Sequence, residues 1–99
     1  MKVKDYEEFV TGKCAFMPIT DDAYSVIGLC GEAGEVAEWI KKAQFRKNPK
    51  FTEDMLKSEL GDVQHYLTRI ARNHGWTLKE VMADNMAKLT VRQQQKETV

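Results

Sequence analysis

The chain is 99 residues long, enough for one small domain with a core of its own. Hydrophobic residues make up 42% of it and charged residues 30%, which excludes a disordered chain, and no apolar run approaches a membrane span. Fifteen basic residues balance fifteen acidic ones, so bulk charge leaves no footprint for DNA, RNA or an anionic membrane.

The first residues, MKVKDYEEFV, carry acidic groups where a signal peptide needs an apolar stretch, and a cytoplasmic protein is expected. Cys14 and Cys30 match neither a redox pair nor a zinc knuckle and read as free thiols. Glycine and proline punctuate four helical pieces. The first runs from about Val3 to Lys13, ending near Gly12, and the loop AFMPITDD follows with Thr20, Asp21 or Asp22 as an N-cap. The second is expected from about Ala23 to Phe45, broken by Asn48-Pro49. Thr52, with Glu53 and Asp54 in the first turn, opens the third, which ends at Asn73-His74-Gly75. Thr77 and Glu80 form a capping box for the fourth, about Leu78 to Gln94, and the tail QQQKETV is expected to fray. No segment alternates with period two. The fold class is all-α, a four-helix bundle.

The wheel of helix two gathers Val26, Leu29, Cys30, Ala33, Val36, Ala37 and Ile40 on one arc. Glu35 and Glu38 lie opposite, with Glu32 at the border. Taken alone, that acidic face needs nothing beyond solvation. Helix three is less easily dismissed: Leu56, Leu60, Val63, Leu67 and Ile70 mark its apolar arc, Glu59 projects inside it and Asp62 lies at its edge. A carboxylate facing a core must be paired, protonated or bound to a cation. Lys41 or Lys42 would supply an ion pair. In helix four, Leu78, Val81, Met82 and Leu89 form the stripe, Asn85 sits within it, and Lys88 and Arg92 continue the face.

Glu32/Glu35 and Glu59/Asp62 are carboxylate pairs at i, i+3, each on one helix face, and on adjacent antiparallel helices they converge. At about 5 Å and an effective dielectric near 20, each like-charge pair repels by roughly 3 kcal/mol, so the four need divalent metal to stay ionised together. All-oxygen ligation favours Mg²⁺ or Mn²⁺ over zinc, and Mg²⁺ borrows further ligands from phosphate. Lys88 and Arg92, one turn apart, suit the remaining phosphate oxygens. Gly28, Gly31 and Gly34 run through the same stretch at about 1 kcal/mol each against alanine. Lacking side chains, they would let a neighbouring helix or a triphosphate approach the backbone.

The segments GLCGEAGEVAEWIKK, SELGDVQHYL and NMAKLTVR resemble the MazG-type all-α nucleoside triphosphate pyrophosphohydrolases. The signature reads Glu32-x-x-Glu35, a spacer of 23 residues, then Glu59-x-x-Asp62, and the resemblance covers about residues 22–92. The whole chain, 1–99, is then a single domain of this type. The resemblance implies Mg²⁺-dependent hydrolysis of a nucleoside or deoxynucleoside triphosphate to the monophosphate and pyrophosphate, with water attacking the α-phosphorus. Glu32, Glu35, Glu59 and Asp62 would be the metal ligands, and Glu35 or Glu38 would assist the water. Asn85, Lys88, Arg92 and Tyr66 are candidate contacts to substrate or metal. Phe16 or Tyr24 would line a base pocket, although for each ordinary packing is the stronger reading, and either Trp39 or Trp76 would pack at a subunit interface. The resemblance also implies a homodimer or a dimer of dimers.

Two other readings compete. A dinuclear-carboxylate redox protein needs Glu-x-x-His on two helices. The nearest match, Asp62-x-x-His65, turns His65 away from the apolar arc, and His65 and His74 read as surface residues. A non-catalytic helical oligomerisation or nucleotide-binding module has no evident use for four carboxylates.

Overall fold

A computed structural model describes residues 1–12 and 22–97. Cys14, Phe16, Thr20 and Asp21 lie outside the described residues. Four helices follow in order: α1 (Val3–Thr11), α2 (Asp22–Ile40), α3 (Glu53–Asn73) and α4 (Leu78–Glu97). Among the described residues no helix is long and apolar enough to cross a membrane.

Local rules set the ends. Thr52 Oγ1 accepts the Met55 N–H at 3.4 Å and caps α3, whose dipole also favours Glu53 and Asp54 in the first turn. Gly75, at φ +78°, reverses the chain after α3, with the Gly75 N–H donating to the Arg72 carbonyl and the Trp76 N–H to the Ala71 carbonyl. Thr77 Oγ1 then accepts the Glu80 N–H at 3.1 Å, while the Glu80 carboxylate receives the Thr77 N–H at 3.4 Å, the reciprocal bonds of a capping box.

The second helix departs from its expected end at Phe45. Its α-helical ladder stops at Ile40, and Lys41–Phe45 form a π-helical turn in which the Arg46 N–H reaches the Lys41 carbonyl. Lys47, at φ 53°, completes the exit before Pro49.

α2 and α3 form an antiparallel hairpin, and the seam between them is more polar than the hydrophobic wheel implied. Ser25, Gly28, Glu32, Val36 and Trp39 share the α2 side of it. Ser25 and Trp39 are buried there, whereas Val26, Ile27, Cys30, Ala33 and Ala37 are exposed. The reason is close approach: the Tyr66 ring lies where a Cβ on Gly28 would stand. Trp39 packs within the chain and donates its indole N–H to the Thr52 carbonyl at 2.7 Å, closing the neck of the hairpin. This corrects the expectation of a subunit contact for Trp39.

A second buried cluster joins Glu7 and Val10 of α1, Ala71 of α3 and Leu78 of α4. Beyond it α4 runs outward. Leu78 is its only buried residue and Val81 is half-buried, whereas Met82, Asn85 and Leu89 are exposed, so the stripe expected to face the core does so only at its start. The radius of gyration, 16.5 Å, exceeds the ~13 Å of a globular domain of this length.

Candidate metal centre

The hairpin register sets what meets what. Near its open end the Asp22 carboxylate accepts from Asn73 Nδ2 at 3.2 Å and pairs with His74 Nε2 at 2.5 Å. Two turns along, Gly28 receives the Tyr66 ring, and one turn further Glu32 comes opposite Glu59 and Asp62. One carboxylate oxygen from each of these three residues lies within 4.8 Å of the others. Glu32 and Glu59 are half-buried, and Asp62 is exposed.

The electrostatics agree with that crowding. Desolvation at the hairpin seam, followed by the charges of Asp62, Glu59 and Glu35, pushes the Glu32 carboxyl above the usual carboxylate range. Glu35, one turn along α2, is exposed and acts on Glu32 through space without joining the tight group of three. The ammonium of Lys42, one of the two cations expected to pair with the cluster, is engaged elsewhere. That ammonium pairs with Glu38 at 2.8 Å, and it lies over the Phe51 ring, 5.2 Å from its centroid. The hydrogen bond and charge of Lys42 hold the Glu38 carboxyl below its ordinary range. Three close oxygen donors with an elevated carboxyl form a donor set suited to a hard divalent cation.

Tyr66 is half-buried beside this group and stacks on His65, with ring centroids 5.3 Å apart. His65 is therefore not the surface residue its wheel position implied. Its Nε2 is buried without a hydrogen-bond partner, and burial, followed by the Arg69 charge, depresses its basicity against the pull of Asp62. Ser25, fully buried one turn before Gly28, likewise has an unpartnered hydroxyl. Tyr24 is half exposed.

The structure does not bring the α4 candidates to this cluster. Among the described residues α4 touches α1 and α3 but not α2. Asn85 and Lys88 instead line an open groove with Trp76, Glu80 and Asp84, and Arg92 lies exposed further along. His74 is exposed as expected, and it stacks on Trp76 with centroids 4.9 Å apart.

Glu7 had no role in the sequence reading and is one of the most buried charged residues. Its carboxylate accepts the Leu78 N–H at 3.1 Å and stands 4.0 Å from Arg72 Nη1. The signal was present: Val3, Glu7 and Val10 recur at four and three residues, which puts Glu7 on the seam of α1.

The Gene 37 protein of Mycobacterium phage L5 is 38% identical over 73 residues, a match that takes in 71% of this chain. The chain thus spans 64% of that relative's length. No solved structure matches. The profile of the MazG nucleotide pyrophosphohydrolase domain matches residues 24–96, which include both halves of the hairpin and all of the acidic cluster. The chain belongs to the MazG nucleotide pyrophosphohydrolase domain family.

Proposed function

We propose that the protein hydrolyses a nucleoside or deoxynucleoside triphosphate to the monophosphate and pyrophosphate, with water attacking the α-phosphorus. The observation that carries this reading is the convergence of Glu32, Glu59 and Asp62 within 4.8 Å in a chain of this family. Those three residues would hold Mg²⁺, or Mn²⁺ in its place, with Glu35 joining when the cation draws it in. The cation would supply charge stabilisation for the triphosphate and acidify water.

Glu35, exposed beside the cluster, is placed to take the proton from the attacking water. Glu38 is the second candidate for that role, and its ion pair with Lys42 favours Glu35. Tyr66 borders the cluster and would flank the sugar or phosphates. Asn85, Lys88 and Arg92 would act on the site of a second copy, because their helix does not reach α2 of its own chain. The open apolar faces of α2 and α4 support the same assembly, a homodimer or a dimer of dimers. A single catalytic domain acting in the cytoplasm, without a nucleic acid polymer or membrane as partner, completes the reading.

The test is product analysis with each NTP and dNTP in the presence of Mg²⁺. Pyrophosphate and the monophosphate are expected, and appearance of orthophosphate and the diphosphate refutes the reaction. Absence of turnover with retained nucleotide binding would establish a binding module instead.

A further inference from the structure

Among the described residues α4 meets α1 and α3 but not α2, and Leu78 in its first turn is its one buried residue. Two devices meet there. The Thr77–Glu80 capping box is local: it ends the helix but exerts no hold on its direction. The other is long-range. Glu7, 71 residues away in sequence and 6% exposed, reaches across from α1 to accept the Leu78 N–H on Oε2, and Arg72 Nη1 of α3 stands 4.0 Å from the same oxygen. One carboxylate thus connects three helices at the point from which α4 departs. α1 (Val3–Thr11) lies before the residues matched by the family profile, 24–96.

We infer that Glu7 is a positioning residue that sets the direction of α4 and, through it, the placement of Lys88 and Arg92 on a bound triphosphate. The second half of this inference rests on the function proposed above. At 1.5 Å per residue, Lys88 is about 15 Å and Arg92 about 21 Å beyond Leu78. A 10° tilt at the first turn therefore moves them by roughly 2.6 and 3.6 Å, well over the tolerance of a charge-assisted hydrogen bond. The turn at 74–77 limits where α4 begins. Glu7 supplies the long-range support that limits its swing.

The experiment compares Glu7→Leu, which fills the buried site without an acceptor, with Glu7→Gln, which retains a carbonyl oxygen for the Leu78 N–H. Leu78 amide exchange is followed by NMR, and steady-state kinetics are measured on the same full-length samples. In Glu7→Leu the Leu78 amide is expected to exchange about tenfold faster, with KM raised about tenfold and kcat within twofold, since lost phosphate contacts weaken binding uniformly. Glu7→Gln is expected to restore both to within about threefold. Unchanged exchange in Glu7→Leu, or a Gln variant as impaired as the Leu variant, overturns the inference. Faster exchange with unchanged KM overturns the link to substrate. If Glu7→Leu does not fold, Arg72→Gln decides: faster Leu78 exchange supports the support role of the carboxylate, and native exchange overturns it. If the unaltered protein turns over no triphosphate, the proposed function fails on its own, and the exchange measurement still judges Glu7.

Discussion

The ring of Tyr66 occupies the space of the side chain that Gly28 lacks: a Cβ at residue 28 would stand 2.5 Å from Tyr66 Cζ. That exclusion lets α2 and α3 approach closely one turn from the acidic cluster. Gly28→Ala is expected to lower stability by about 1 kcal/mol, since overpacking of about 1–3 kcal/mol outweighs the roughly 1 kcal/mol gain in helix propensity. In a Tyr66→Ala background the same change should stabilise. Urea titrations of the four proteins of this cycle measure the coupling, and additive effects would show that the contact does not matter.

Gly31 and Gly34 differ from Gly28, because among the described residues nothing lies within 4 Å of a Cβ built on either. In a lone chain each change to alanine should therefore stabilise by about 1 kcal/mol through helix propensity alone. Where a second copy approaches this face, the substitutions should instead weaken association. Sedimentation velocity alongside denaturation separates the two, and stabilised variants with native association would place the contact elsewhere.

On the proposed function, the carboxylate cluster trades stability of the metal-free protein for cation binding. Glu32→Gln removes the group whose ionisation is most opposed by burial and by Asp62, Glu59 and Glu35, so the metal-free variant should melt at a higher temperature at pH 7. The sign follows from the raised carboxyl: its contribution is fully present below pH 4.5 and is lost as pH rises through the folded value. Wild type should in turn gain about 2.7 kcal/mol at Mg²⁺ 100-fold above its Kd, and Glu32→Gln or Glu59→Gln should gain far less. Equal Mg²⁺ stabilisation of wild type and variants would remove these residues from the metal centre.

At the other end of the hairpin the sign reverses. Hydrogen bonds from Asn73, then from His74, hold the Asp22 carboxyl below 3.8. Their contribution is complete above pH 3.8 and disappears as pH falls through the depressed folded value. An NMR titration of Asp22 should give a value below 3.8 in wild type, moving upward in Asn73→Ala. No movement would mean that His74 alone sustains the shift.

The neck of the hairpin offers a stability test. Trp39→Phe keeps an aromatic ring but removes the donor to the Thr52 carbonyl, a loss of about 1 kcal/mol. Trp39→Ala should cost about 3–5 kcal/mol. Trp39 should also emit to the blue of Trp76, which is about half exposed.

The sequence disclosed what local rules govern. Thr52, Thr77 with Glu80, and Gly75 mark helix ends through bonds made within a few residues, and the structure contains those bonds. The i, i+3 spacing likewise foretold that Glu59 and Asp62 share a face with Glu32 opposite. What stayed hidden depends on packing. A helical wheel ranks faces by hydropathy, so it chose Val26, Cys30, Ala33 and Ala37, whereas the hairpin chose the face where small and polar residues permit close approach. The direction of α4 was hidden for a related reason. It is set by Glu7, which meets Leu78 only after the chain has folded back.

The bond between Trp39 and Thr52 has a practical consequence. It ties the two strands of the connection together before the π-helical turn and the stretch to Pro49 and Phe51, so that segment is a handle outside the clamp. A guest sequence spliced between Arg46 and Lys50, such as an affinity tag or a fluorescent reporter, would lengthen the handle while Glu32 stayed opposite Glu59. The same guest placed inside α3 between Glu59 and Tyr66 would turn one carboxylate, or the ring beside it, away from its partners.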